Sequence, residues 1–132
     1  MPADPTKLPM SIAQSYLEGE GLTVIDPSTA QADEGITTEA PINYSTHLFH
    51  QGKISAYVFE TDPGTVQIDG LPYDEYVHVL EGRLILTPKG GEPQEFKAGD
   101  HLLIPEGYVG TWHMPEKYRE FVVINTLQGA EA

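Results

Sequence analysis

The chain has 132 residues, of which 39% are hydrophobic, so its length fits one folded domain with a modest core. Its 20 acidic and 7 basic side chains give a formal net charge of −13, which repels phosphate backbones and anionic lipid surfaces, so we expect neither nucleic acid nor a membrane as a partner. The absence of cysteine excludes disulfides, thiolate metal sites and a cysteine nucleophile.

Residues 1–41 are rich in proline and include an acidic, weakly hydrophobic stretch at 28–35, which predicts an N-terminal arm that is partly disordered. Within the arm, Ser11 and Gln14 have the spacing of a capping box and predict a helix of about two turns through Glu18. Leu22–Ile25 predicts a short edge strand. The arm lacks the pattern of a signal peptide, and no apolar run is long enough to span a membrane, so we expect a cytoplasmic protein.

Residues 42–132 consist of short apolar or alternating runs separated by turn residues, the pattern of a β-sandwich or β-barrel. Glycine and proline are frequent at the junctions of these runs, which makes long helices improbable as the main element. The sequence therefore predicts an all-β domain. The predicted strands are Asn43–Phe49, Ile54–Thr61, Thr65–Asp69, Glu75–Leu80, Arg83–Thr87, Gln94–Lys97, His101–Ile104, Gly110–Met114 and Glu120–Asn125.

Two segments resemble the conserved motifs of the cupin superfamily. The first is Tyr-Asp-Glu-Tyr-Val-His-Val-Leu-Glu-Gly at 73–82, in which Glu75 matches the motif glutamate and Gly82 the motif glycine. The second is Gly-Asp-His-Leu-Leu-Ile-Pro-Glu-Gly at 99–107, with its two glycines and its proline at the family spacing. The distance between the two segments is also typical of the family.

Residues 57–60 and 110–119 are similar to a subfamily that includes the ureidoglycine aminohydrolase-like and ethanolamine-utilisation cupins. The resemblance extends over residues 54–125. It implies a double-stranded β-helix, also called a jelly roll or cupin barrel, that follows the N-terminal arm. It also implies a homodimer and a ligand pocket inside the barrel.

The resemblance is incomplete at the metal site. The usual cupin ligands are two histidines and a glutamate from the first motif and a histidine from the second, but Asp69, Leu71 and Gly110 occupy the three histidine positions here. Glu75 remains, and carboxylates without an imidazole make a weak site for a transition metal. We therefore expect no cofactor, and the aminohydrolase activity is not carried over to this chain.

Two histidines keep a shifted metal site open as an alternative. His47 and His50 lie in or beside the first barrel strand, three residues apart, so on a regular strand they face opposite ways unless a bulge intervenes. A divalent transition metal would then have Glu75, His47 and His50 as its ligands. His78 and His113 are predicted to face outward, because Glu75 and Trp112 occupy the inward positions of the same strands.

Glu75 is the candidate catalytic residue. A carboxylate inside an apolar barrel tends to have a raised pKa, so it is suited to general acid or base chemistry or to binding a cation. Its structural alternative is a buried carboxylate paired with Arg83, Arg119 or a tyrosine hydroxyl. The other predicted pocket residues are Asp69, Tyr73, Trp112, Phe59, Arg119 and His50.

Three functions follow from these observations, and whether the chain is an enzyme is left open. The first is a cupin that binds a small polar metabolite in its barrel, with most of the usual metal ligands replaced. The second is a metal-dependent hydrolase, isomerase or lyase of small nitrogen or carbon metabolites with the shifted site. The third is an accessory or regulatory dimer whose arm contacts a partner.

Overall fold

The computed structural model describes residues 7–25, 36–38 and 43–125, which contain one short helix and eleven strands. The all-β prediction is confirmed. The elements are α1 Gln14–Leu17, β1 Thr23–Ile25, β2 Ile36–Thr38, β3 Tyr44–Gln51, β4 Ile54–Thr61, β5 Gly64–Asp69, β6 Glu75–Glu81, β7 Arg83–Pro88, β8 Gln94–Lys97, β9 His101–Ile104, β10 Val109–Met114 and β11 Tyr118–Asn125.

The strands form two antiparallel sheets. The larger sheet has six strands in the order β1-β3-β4-β11-β6-β9, and the smaller has five in the order β2-β5-β10-β7-β8. Consecutive strands often belong to different sheets, as β4 and β5 do, so the chain passes repeatedly from one layer to the other. This arrangement is that of a jelly roll. No helix in the described ranges is long and apolar enough to cross a membrane.

The core lies between the two sheets and follows from the alternation of side chains along each strand. On β6, Val77 and Val79 are fully buried together with Glu75, while the residues between them face outward. On β10, Trp112 and Met114 are buried in the same way. His78 and His113 lie between these buried residues and face outward, as predicted. On the outer face His113 bonds Thr65, and His78 stacks on His101.

The N-terminal segment differs in part from the prediction. The helix has four residues and begins after Ala13, which makes no side-chain cap, so the predicted capping box between Ser11 and Gln14 is wrong. The strand predicted at Leu22–Ile25 is confirmed as β1, an edge strand that pairs with β3. The strand β2, which pairs with β5, lies inside the predicted arm and was missed. Much of the disorder predicted for the arm falls outside the described residues, and the boundary at residue 41 stays a prediction.

The helix segment lies against the outer face of the six-stranded sheet. Tyr16 stacks on His47 of β3 with ring centroids 3.6 Å apart, and its edge contacts Phe49. The guanidinium of Arg119 on β11 donates from Nε to the carbonyl oxygen of Leu17 at 2.9 Å. Val58, which pairs with His47 on the same face of the sheet, is fully buried.

Candidate functional site

A cavity of about 410 Å³ lies inside the barrel. Strands of both sheets contribute to it, and Leu48, which is 50% exposed, lies at its rim. The volume is within the range of small-molecule sites, roughly 300–1,000 Å³. The described residues that line it are Ile25, Tyr44, Thr46, Leu48, Tyr57, Phe59, Val66, Ile68, Leu71, Tyr73, Glu75, Trp112, Met114 and Glu120.

The most chemically distinctive lining residues are two buried carboxylates on neighbouring strands. Glu75 on β6 is 4% exposed and Glu120 on β11 is 3% exposed. In the register of the two strands, Glu75 lies opposite Ile124 and Glu120 lies opposite Val79, so both carboxylates face inward but are offset along the barrel. A buried carboxylate is expensive unless its charge is compensated or it takes up a proton.

Glu120 accepts a hydrogen bond of 2.6 Å at Oε1 from the hydroxyl of Tyr118, which is itself fully buried. Burial raises the pKa of Glu120 to about 8, although the hydrogen bond from Tyr118 acts in the opposite direction. Burial also raises the pKa of Tyr118 far above its usual range, with the charges of Glu120 and Glu75 adding to the effect. The Tyr118 hydroxyl therefore keeps its proton and donates the hydrogen bond to Glu120.

Aromatic rings form much of the remaining wall. Tyr44 and Phe59, on adjacent strands, have ring centroids 5.2 Å apart and are tilted by 38°. Tyr57 and Tyr73 contribute two further phenol rings, and Trp112 contributes an indole that is 9% exposed. The cavity is thus apolar and aromatic, with its negative charge confined to two carboxylates.

Four of the predicted site residues line this cavity. They are Glu75, Tyr73, Trp112 and Phe59, and the structure brings all four together.

Four others do not line it. Asp69 is exposed at the end of β5, because Val66 and Ile68 occupy the inward positions of that strand. Arg119 lies on the outer face, where its Nη1 donates to Glu60 at 2.9 Å and to Glu81 at 2.6 Å. The assignment of Asp69 and Arg119 to the pocket is therefore corrected.

The two histidines of the predicted metal site also lie elsewhere. His47 faces outward under Tyr16, and a bulge in the pairing of β3 with β4 follows it. His50, after the bulge, is exposed, and its ring lies against Gly52 in the hairpin. Neither histidine is among the described residues that line the cavity with Glu75, so the structure does not form the shifted site. The pocket assignment of His50 is corrected for the same reason.

The residues present do not fit the metal that the fold family implies. The described cavity lining offers two carboxylates and no imidazole, and no group of three potential ligands occurs among the described residues. At Gly110, an added Cβ would lie 2.3 Å from the carbonyl oxygen of Thr87, so this position has no room for a histidine side chain. We assign no chemistry to a metal.

The sequence interpretation missed Glu120 and Tyr118. The strand was predicted to begin at Glu120, whereas it begins two residues earlier, at Tyr118. The available signal was the alternation from Tyr118 through Glu120 to Val122, all three of which are buried. Tyr44 and Tyr57 were missed as well, although both are aromatic residues on predicted strands.

Comparisons with solved structures agree with the fold. The chain is similar to the EutQ protein of Clostridium difficile, with 19% identity and a TM-score of 0.60 over 76% of this chain and 79% of that one. It is similar to a putative ethanolamine utilization protein Q from Salmonella typhimurium LT2, with 24% identity and a TM-score of 0.59 over 79% and 93% of the two chains. Ectoine synthase from P. lautus is 16% identical, with a TM-score of 0.55 over 62% and 63%.

These identities show a shared fold and carry no activity to this chain. No curated protein matches the chain. A sequence profile of the EutQ-like cupin domain matches residues 49–121, which is more than half of the 132 residues. The resemblance to the ethanolamine-utilisation cupins is thereby confirmed, and the chain belongs to the cupin family of EutQ-like domains.

Proposed function

We propose that this chain binds a small polar metabolite inside its barrel, in a site that does not use the usual cupin metal ligands. The observation that carries the proposal is the cavity of about 410 Å³, with two carboxylates buried in a largely aromatic wall. Pockets with a few convergent polar groups in an apolar lining are typical of ligand sites. A buried carboxylate lowers stability unless hydrogen bonds or an opposite charge compensate it, and a bound polar ligand can supply both.

The metal-dependent alternative has less support. It requires His47 or His50 beside Glu75. His47 lies under Tyr16 on the outer face of β3, and the ring of His50 lies against Gly52 in the hairpin. The proposed function therefore predicts no stoichiometric transition metal in protein purified without a histidine tag or chelator. Elemental analysis measures this directly, and about one equivalent per chain, lost in Glu75→Gln, would contradict the proposal.

Ligand binding is tested by thermal unfolding in the presence of single metabolites that represent cations, anions and neutral polar molecules. A ligand that binds only the folded state raises the Tm by mass action. Leu48→Trp adds an indole at the cavity rim and is expected to abolish the rise in Tm. Ile54→Trp adds the same bulk at a position on β4 that is 46% exposed and outside the described cavity lining, and is the matched control. If no compound raises the Tm of the wild type, or if Leu48→Trp leaves the rise intact, the proposal fails.

The proposal includes a homodimer. Its support is the exposed apolar side chain of Leu103 on the edge strand β9, beside Tyr76 of β6. Among the described strands β9 ends the six-stranded sheet, and an edge strand of this kind can pair with a second copy of the chain. Light scattering is expected to give twice the chain mass, and Leu103→Lys is expected to give a monomer. Val24→Lys, on the edge strand β1 of the same sheet, is the control.

The cytoplasmic location and the accessory role stay predictions.

A further inference from the structure

We propose, on the basis of the function proposed above, that the ligand is a small organic ammonium ion. In this proposal the ammonium ion takes the place of the proton on Glu120, so that the ionised carboxylate holds the positive charge. Glu75, on the neighbouring strand, lines the same cavity. The carbon atoms of the ligand pack on the aromatic wall. The inference names the charge and the chemical class of the ligand, which the proposed function leaves open.

The first step of the argument is the charge balance of the site. The described lining of the cavity contains Glu75 and Glu120 but no lysine, arginine or histidine. Tyr118 donates a hydrogen bond to Glu120, but a phenol is neutral and adds no positive charge to the site. A buried anion of this kind attracts either a proton or a cation.

The second step is that the nearby guanidinium groups are held elsewhere. Arg119 bonds Glu60, Glu81 and the carbonyl oxygen of Leu17 on the outer face. Arg83 bonds Glu116 through Nε at 2.8 Å and lies 3.4 Å from Glu95. Neither guanidinium lines the cavity. The described lining therefore contributes no positive charge, and a cationic ligand can supply it.

The third step is the aromatic wall. The faces of tyrosine, phenylalanine and tryptophan rings carry negative electrostatic potential and attract ammonium groups. Tyr44, Tyr57, Phe59, Tyr73 and Trp112 all line the cavity that holds the two carboxylates. An organic cation satisfies both features at once, since its charge meets the carboxylates and its hydrocarbon part meets the rings. An anion would be repelled by the same carboxylates and by the net charge of −13.

The charge of the ligand is tested with a series of probes that differ mainly in charge. The probes are butylammonium and benzylammonium, their neutral counterparts butanol and benzyl alcohol, and the anions butyrate and benzoate. Trp112 is the only tryptophan of the chain and lies in the cavity wall, so its fluorescence reports occupancy without a label. The titrations use the full chain at a pH of about 9, where the ammonium probes are mostly charged and Glu120 is largely ionised.

At least one ammonium probe is expected to bind roughly tenfold or more tightly than its neutral counterpart, with the anions weakest. Glu120→Gln is expected to remove most of that preference. Glu95→Gln removes one carboxylate from β8, outside the described cavity lining, and is expected to keep the preference. The wild-type series depends on no variant, so a Glu120→Gln protein that fails to fold does not remove the test.

The outcomes separate this inference from the function on which it rests. If a neutral or anionic probe binds as tightly as the ammonium probe, and Leu48→Trp abolishes the rise in Tm that this probe causes, the cavity is a ligand site but the inference about charge is wrong. The inference is also overturned if the ammonium preference survives in Glu120→Gln. If no probe binds at millimolar concentration while a metabolite of another class raises the Tm, the inference fails alone. If nothing binds in either experiment, both fail.

Discussion

Tyr118 and Glu120 are two residues apart on β11, and the hydroxyl of the first donates a 2.6 Å hydrogen bond to the carboxylate of the second. Residues at this spacing share a face of a strand, so both side chains enter the barrel. The contact is buried, and Tyr118 has no exposed surface. The strand thus supplies both a carboxylate of the cavity and the donor that holds it in place.

Tyr118→Phe removes this donor while keeping the ring. The ionised carboxylate of Glu120 then loses a buried hydrogen bond, which is worth about 1–3 kcal/mol for a charged acceptor. We expect the free energy of unfolding to fall by that amount at a pH of about 9. Urea denaturation measures the change. The control is Tyr76→Phe, whose hydroxyl bonds His101 on the outer face and is expected to matter less. Equal losses in the two variants would contradict the role of the buried contact.

Stability is expected to fall as the pH rises from the ordinary carboxyl range to about 8. The pKa of Glu120 is raised to about 8 by burial, so in this window the folded state binds a proton that the unfolded state has released. The free energy of unfolding then decreases with pH, by at most about 1.4 kcal/mol per pH unit for one proton. Glu120→Gln has no proton to release at this position. Urea denaturation across this range should give a flatter profile for Glu120→Gln than for the wild type, and parallel profiles would contradict the assignment.

The fold was largely predictable because its strands alternate and its turns contain glycine and proline. The bounds of β4, β8 and β9 agree with the prediction, and most others differ by one or two residues at an end. The strand β2 was missed because three residues in an acidic, proline-rich stretch give too short a pattern. The capping box failed for a physical reason, since the helix begins three residues after Ser11 and its position follows from Tyr16 packing on His47.

The site was less predictable. Glu75 and its neighbours could be found from the motif, but Glu120 precedes an unbroken apolar run, Phe-Val-Val-Ile at 121–124, in which no alternation indicates the inward face. The pairing of β11 with β4 is regular over the whole strand, and the pairing with β6 shifts register between Arg119 and Glu120. This irregularity lies beside the residue that was assigned to the pocket. Arg119 and Glu120 face opposite sides because they are neighbours on a strand, and the predicted strand missed this alternation because it began at Glu120 and not at Tyr118.

Arg119→Ala is expected to loosen the N-terminal helix. The side chain is 13% exposed and joins the carbonyl oxygen of Leu17 to the carboxylates of Glu60 and Glu81. Removing it leaves Glu60, which is 15% exposed, with a weaker partner in Lys117 at 3.6 Å. We expect a loss of about 2–3 kcal/mol in the free energy of unfolding.

Hydrogen exchange reports the local effect of Arg119→Ala, since the amides of 16–20 should exchange faster. The matched control is Arg83→Ala, which also removes a guanidinium with two carboxylate partners, but from an exposed position. Exposed ion pairs contribute little, so this variant should leave both readouts close to those of the wild type. If the two variants have the same effect, Arg119 does not attach the helix to the sheet.

Gly82→Ala is expected to destabilise the barrel through the turn between β6 and β7. Gly82 has a φ of +83°, and a Cβ added there would lie 2.2 Å from the backbone carbonyl oxygen of Lys117. That carbonyl cannot easily move, because the next residue, Tyr118, is fully buried and bonds Glu120. The strain of a left-handed conformation and the steric overlap together should lower the free energy of unfolding by about 2–4 kcal/mol.

Gly90→Ala separates the two contributions in the Gly82 variant. Gly90 has a similar φ of +75°, but an added Cβ would meet no atom within 4 Å. Its substitution should therefore lower the free energy of unfolding by about 1 kcal/mol, from the backbone conformation alone. Urea denaturation of both variants gives the difference, which measures the close approach of Lys117 to the turn. Equal losses would mean that the motif glycine is required for its φ value and not for the packing of β11 against the turn.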